Sequence, residues 1–243
     1  MSEHDDDRGG VPSASGMDRL ANCPSSYSFE KVFPEPEKDD DDISKEGELL
    51  HDIVMGLQPL SLANPGQQDD IIRAKRHRQD LIEQTIGEYD ESQGNDSRKL
   101  EQRLWLHDGI KPVMSGRFDE LLIAYPDSEN SPCLLIDYKF GYKDVAEAAI
   151  NLQLRALGVL VYNEWGYRDI YVAVISPRAS KPTCANYEEH DLMASREELI
   201  DISVNAMQTI DLSNLKAGEW CAYCNARHLC PAAWMVGGEV IDV

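Results

Sequence analysis

Nowhere in the 243 residues does an apolar run approach the ~20 residues that a membrane-crossing helix requires, so no spanning segment is expected. The first residues, Met1-Ser2-Glu3-His4-Asp5, lack the basic and apolar stretches of a secretory signal, and a cytoplasmic setting is expected. Basic residues are scarce: 23 Lys and Arg stand against 44 Asp and Glu, a net charge of −21. That balance excludes a generally basic, nucleic-acid-coating surface. Residues 1 to 48 hold 14 acidic and 5 basic residues, a net of −9, which leaves the remainder at −12 and still acidic. Any nucleic-acid contact has to be confined to a local groove or bridged by divalent cations, and it has to weaken with salt. The chain has no internal repeat, and its acidic loop at 34–42 lacks the ligand spacing of a calcium loop. Cysteine is sparse as well. Six occur, three of them between Cys221 and Cys230, which in a reducing compartment points to thiols or metal ligands rather than a disulfide framework.

What is present suffices for a large core, since 42% of the residues are hydrophobic. Residues 1–12 are polar and Gly-rich and are expected to be a disordered tail; residues 13–243 are expected to form one domain. Ser15-Gly16-Met17-Asp18 has capping-box spacing for a short helix that Cys23-Pro24 ends. Apolar periodicity predicts further helices near 44–57, 69–91, 144–165 and 195–210. The second of these, 69–91, carries Arg73, Lys75, Arg76, His77 and Arg78, which suit either phosphate contact or a solvated face balanced by acidic neighbours. Strand patterns occupy 99–106, 113–125, 134–140, 169–175 and 183–187. Hairpin strands, then a helix, then another buried strand predict an α/β sandwich with a mixed central sheet flanked by helices.

The chemistry concentrates on Ser115-Gly116-Arg117-Phe118-Asp119-Glu120 and, across one hairpin, Asp137-Tyr138-Lys139. Alternation along a strand sends Asp137 and Lys139 to one face and Tyr138 to the other, and likewise separates Asp119 from Glu120. Two carboxylates on adjacent strands offer hard oxygen ligands to Mg²⁺ or Mn²⁺, and a lysine beside them can orient water or offset charge on a phosphoryl group. Taken alone, Asp-x-Lys also fits a buried ion pair. The cysteines leave two readings open: C-x₂-C with a third cysteine and one remote ligand suits tetrahedral zinc, with His228 or His190 as substitutes, or a four-thiolate [4Fe–4S] cluster. Cys133 and Cys184 read as core residues in or beside strands.

Four features arrive in order: Gly47-x-x-x-His51, Gly116-x-x-Asp119, Asp137-x-Lys139, and Gln153 on the following helix. This order resembles the PD-(D/E)xK nuclease superfamily in its RecB-like branch, over nearly all of residues 13–232. Cys23-Pro24 with Cys221-x-x-Cys224-x₅-Cys230-Pro231 looks like the iron–sulfur staple of RecB-like nucleases in AddAB-type helicase-nucleases and CRISPR-associated exonucleases. The opening Ser13-x-Ser15-x₃-Arg19-Leu20-x₂-Cys23-Pro24 is similar to a phage- and prophage-borne group of stand-alone proteins in that branch. The resemblance implies a restriction-endonuclease-like core over 44–210 and a staple made of 13–33 and 215–232. It implies that His51, Asp119 and Asp137, with the Tyr138 carbonyl, hold Mg²⁺ or Mn²⁺, that Lys139 positions the attacking water, and that Gln153 supports the site. It further implies a [4Fe–4S] cluster on Cys23, Cys221, Cys224 and Cys230, with structural Zn²⁺ the alternative.

The sequence departs from the branch at Leu157, where a tyrosine usually follows the glutamine by four residues; Tyr162 stands at another level of the same helix. The expected activity is metal-dependent hydrolysis of DNA, from ends or on single strands, with a recombination or helicase protein as a further partner. Two rivals remain at this stage: a catalytically silent relative that binds DNA or a partner protein, and a zinc-stabilised interaction module in which Asp-x-Lys is incidental.

Overall fold

The computed structural model describes residues 8–34, 42–87, 89–128, 130–142, 145–178, 181–208 and 210–233. Helices α1 (Met17–Asn22) and α2 (Ser26–Val32) come first. The α1 helix ends at Cys23, which leaves helical conformation at φ −139° because Pro24 disfavours a helical residue before it. The predicted Ser15 cap does not form: α1 starts at Met17 with Gly16 as its N-cap and no side-chain cap. Of the predicted tail, residues 1–7 lie outside the described residues. Residues 8–12 run along the fold, with Val11 buried and the Pro12 carbonyl accepting the Ser115 amide.

Helices α3 (Asp42–Met55) and α4 (Pro65–Thr85) form one layer. The α4 helix starts earlier than its apolar pattern suggests because Asn64 and Gln67 cap each other's backbone amides at 3.0 and 2.8 Å, with Pro65 at the first helical position. Strands β1 (Arg98–Leu100), β2 (Arg103–Asp108), β3 (Lys111–Arg117), β4 (Glu120–Ile123) and β5 (Cys133–Tyr138) follow, then α5 (Leu152–Trp165), β6 (Asp169–Ile175), β7 (Thr183–Glu188) and α6 (Glu189–Ala206). The main sheet has the order β1-β4-β5-β6-β7, parallel only between β5 and β6, which α5 connects. This is the mixed sheet flanked by helices that the sequence pattern implies.

Leu121, Ile123, Cys133 and Leu135 face α5 and α6, while Leu122, Leu134, Ile136 and Tyr138 face α3 and α4. Strands β4 and β5 are buried on both faces, which is why they read as unbroken apolar runs. Each large aliphatic side chain sealed there contributes roughly 1.5–3 kcal/mol. Gly116 lets β3 approach α5: a Cβ there would lie 2.7 Å from Leu160 and 2.8 Å from Leu157.

Two predicted strands, 99–106 and 113–125, each break in two. One half of each pairs in the main sheet and the other in a β2–β3 ribbon. Pairing continues through the break, since the Glu101 amide donates to the Asp119 carbonyl at 3.1 Å and the Phe118 amide to the Gln102 carbonyl at 3.3 Å. Glu101 takes a left-handed φ of 49°, and the hairpin bends out of the sheet at that point. The bend sets Glu101 beside Asp119.

A candidate hydrolytic site beside a cysteine-lined cavity

The antiparallel register that pairs Glu120 with Ile136 carries Asp119 to the position opposite Asp137, just past the end of the ladder. Asp119 Oδ2 accepts the Tyr138 amide at 2.7 Å and lies 3.5 Å from His51 Nδ1, which α3 brings over the strand ends. His51 packs edge-on against Phe140 and Tyr138. Asp137 Oδ1 accepts Lys139 Nζ at 3.0 Å and Gln153 Nε2 at 2.8 Å. Its Oδ2 is buried 2.9 Å from Lys139 Nζ but without hydrogen-bond geometry. Gln153 reaches it because α5 begins late: Asn151 caps the helix by accepting the Leu154 amide at 3.2 Å, so Gln153 sits in the first turn, pointing at the strand ends.

The structure thus brings His51, Asp119, Asp137, Lys139 and Gln153 to one place. It adds Glu101, which sequence reasoning missed. Among the described residues, His51, Glu101 and Asp119 place three possible ligand atoms within 4.8 Å of one another. The local signal was slight: Glu101 sits in an alternating pattern, and only the left-handed bend turns it to the site.

Burial pushes the Asp119 carboxyl well above the usual range, and the nearby Asp137 charge adds to this against the Tyr138 amide and Lys139. Glu101 is also pushed up by burial, with Arg117 acting in the opposite direction. Burial and then the Lys139 charge lower His51 and favour its neutral, ligating form. Burial opposes the Lys139 ammonium, but Asp137 and Asp119 outweigh it and hold Lys139 above its ordinary value. The centre therefore carries more carboxylate than its own cation offsets, which is the character of a site for a divalent ion.

Other expected residues lie elsewhere. Glu120 faces the opposite side of β4, where it accepts both Arg78 nitrogens at 2.9 and 3.0 Å; Arg78 is thus turned inward rather than onto a solvated or phosphate-binding face. The Tyr162 hydroxyl donates to Glu189 at 3.3 Å, and Leu157 is buried against Gly116. Cys133 is in the core, but Cys184, expected there too, is exposed on the edge strand β7.

Cys23, Cys221, Cys224 and Cys230 line one small cavity together with Arg19, Phe29 and Trp220. Neither His190 nor His228 lines it. Two of the sulfurs accept backbone amides, Cys23 from Lys216 at 3.3 Å and Cys221 from Gly218 at 3.4 Å. Burial holds the Cys224 thiol up at about 11, so binding a metal there must release its proton.

A family model described as DUF2800, protein of unknown function, matches residues 11–236. Among curated proteins, none matches the chain. Among solved structures, the crystal structure of SSO0001 is similar at 14% identity and a TM-score of 0.41, covering 89% of this chain and 85% of that one. No helix of the described residues is long and apolar enough to cross a membrane.

Proposed function

The chain belongs to the DUF2800 family of proteins of unknown function, and we propose that it is a metal-dependent nuclease of the PD-(D/E)xK type that hydrolyses DNA phosphodiesters. One observation carries the reading: Asp119 and Asp137 meet across adjacent strand ends with Lys139 bound to Asp137 and with His51 and Glu101 gathered at Asp119. A structural ion pair does not account for this. Such pairs are satisfied by balanced charge, whereas Asp119 and Asp137 here share one lysine and a histidine held neutral, and Glu101, paired with Arg117, adds a third carboxylate beside them.

His51, Glu101 and Asp119, with Asp137 and the Tyr138 carbonyl, would hold Mg²⁺ or Mn²⁺, which when bound supplies Lewis-acid charge on a phosphate oxygen and a more acidic water. The remaining steps belong to the chain. Lys139, kept cationic by Asp137, orients the water and offsets charge that builds on the phosphoryl oxygens. Gln153 fixes the Asp137 carboxylate through Oδ1, while Oδ2 takes no hydrogen bond and lies 2.9 Å from Lys139 Nζ.

The four cysteines lining one cavity support a bound metal that ties the N-terminal helices to the C-terminal segment. The spacing of Cys23-Pro24 with Cys221-x₂-Cys224-x₅-Cys230-Pro231, which resembles an iron–sulfur staple, favours a four-thiolate [4Fe–4S] cluster over zinc. Anaerobic purification followed by iron and sulfide analysis tests the cluster. A colourless protein holding one zinc would overturn it.

Incubation of end-labelled single- and double-stranded DNA with the protein and Mn²⁺ or Mg²⁺, beside Lys139→Ala, tests the activity. Cleavage lost in the variant is expected, and a folded, metal-loaded wild type that leaves both substrates intact would sink the reading.

A further inference from the structure

We propose that the cysteine-bearing segment builds part of the substrate site itself: Tyr223, between Cys221 and Cys224, is a stacking surface for an unpaired nucleotide next to the phosphodiester held at Lys139. This rests on the nuclease reading above and deepens it.

One groove is lined by His51, Lys139 and Gln153 of the candidate site and by Trp220, Tyr223 and Asn225 of the C-terminal segment. Tyr223 is 69% exposed and lines the same groove as Lys139. The ring is carried on a fixed backbone. Consecutive turns link the Cys221 amide to Gly218, the Cys224 amide to Cys221 and the Arg227 amide to Cys224, and the Asn225 amide donates to Glu30 at 2.7 Å. Glu30 is in turn paired with Arg19 at 2.8 Å. Arg19 and Trp220 line both the groove and the cysteine cavity, so these two side chains form the wall between them.

Charge favours an anionic strand at this place. On a chain of net charge −21, this groove is lined by four cationic side chains, Arg8, Arg19, Lys31 and Lys139, against two acidic ones, Asp18 and Glu30. An exposed ring in the same groove as the reactive lysine offers a π-face to a base, and such stacking contributes ~1–3 kcal/mol per base with little sequence preference. Paired bases inside a duplex hide their faces, so the ring selects a single strand or a frayed end.

The test uses full-length protein with its cysteine-bound metal intact and Ca²⁺ in place of Mn²⁺. Fluorescence anisotropy reads the affinity for a short labelled single strand and for a blunt duplex of the same length. Tyr223→Ala is expected to weaken single-strand binding about 5- to 150-fold, the equivalent of ~1–3 kcal/mol, while Tyr223→Phe stays within about twofold. Duplex affinity and metal content are expected to be unchanged in both variants. Single-strand binding unaltered in Tyr223→Ala, equal losses on both DNAs, loss of the cysteine-bound metal in that variant, or no binding by the wild type would each overturn the inference. The two readings separate when Mn²⁺ is added. Wild type that binds through Tyr223 but does not cut removes the nuclease reading alone, and wild type that cuts while Tyr223→Ala binds normally removes this inference alone.

Discussion

Asp119 and Glu120 are neighbours in the chain and both lie deep in the fold, yet they sit in opposite electrostatic situations. Glu120 is sealed on the α4 side, where it accepts two bonds from Arg78, one from Arg98 at 2.5 Å and one from the Tyr138 hydroxyl at 2.8 Å. Burial alone would raise its carboxyl, but the two guanidinium groups outweigh this and hold it below the ordinary value. Asp119 has no arginine. Its acidic neighbours Asp137 and Glu101 add to burial and push it up. One step along a strand therefore moves a carboxylate from a balanced network into an under-compensated one. The first arrangement holds α4 to the sheet, while the second leaves the under-compensated charge that the proposed divalent ion would offset.

The sharpest way to break this comparison is to neutralise each carboxylate without changing its shape. Asp119→Asn is expected to lower cleavage on the order of 10²- to 10³-fold, as for loss of one charge-stabilising group, while leaving thermal stability equal or higher because a repelled buried charge is gone. Glu120→Gln is expected to do the reverse. Removing the carboxylate charge that Arg78 and Arg98 share costs about 3 kcal/mol, a fall in Tm of roughly 6–12 °C, with cleavage by the folded fraction within a few-fold of wild type. Assay rate and Tm measured on both variants decide it. If the Asp119 variant loses stability and keeps its rate, the two centres have been assigned the wrong way round.

Alternation along the strands was enough to separate Asp119 from Glu120 and to put Asp137 with Lys139, because a period of two needs no tertiary information. The layered fold was legible for the same reason, from apolar runs at 134–140 and 169–175 and the long helix between. Legibility stopped where two elements change direction. The breaks at Glu101 and Phe118 depend on a left-handed residue that is not glycine, and no local pattern announces one. The late start of α5 was hidden because Ala148 and Ala149 continue the apolar pattern while Asn151 interrupts it. Arg78 looked like one more residue in a basic row until its partner, forty-two positions away, was in place. Tyr223 carried no signal of its own, since its relation to Lys139 exists only after the C-terminal turns fold against α1 and α2.

Glu101 allows the comparison to be made finer. Its left-handed bend brings it from the ribbon to Asp119, and Arg117 holds it at 3.0 Å. Glu101→Gln is expected to raise the Mn²⁺ concentration for half-maximal cleavage about tenfold while leaving the saturated rate nearly unchanged, an effect between those of the Asp119 and Glu120 variants. A metal titration at fixed DNA measures it. An unchanged titration would place Glu101 outside the ligand set and leave it as a partner of Arg117 alone.

The smallest expected effect is the dependence of stability on pH, measured with a chelator present. Glu120, with its folded pKa depressed, contributes stability that is present above the ordinary glutamic acid pKa of about 4.3 and is lost as pH falls through the lower folded value. Asp119 has the opposite sign: its folded pKa is raised, so the stability it contributes is full below the ordinary aspartic acid pKa of about 3.9 and is lost as pH rises through the folded value. Glu120→Gln should therefore flatten the acid limb of a denaturation profile, and Asp119→Asn the limb at higher pH. Divalent ion should restore the upper limb in the wild type and not in Asp119→Asn, because only the wild type has the charge that the ion offsets.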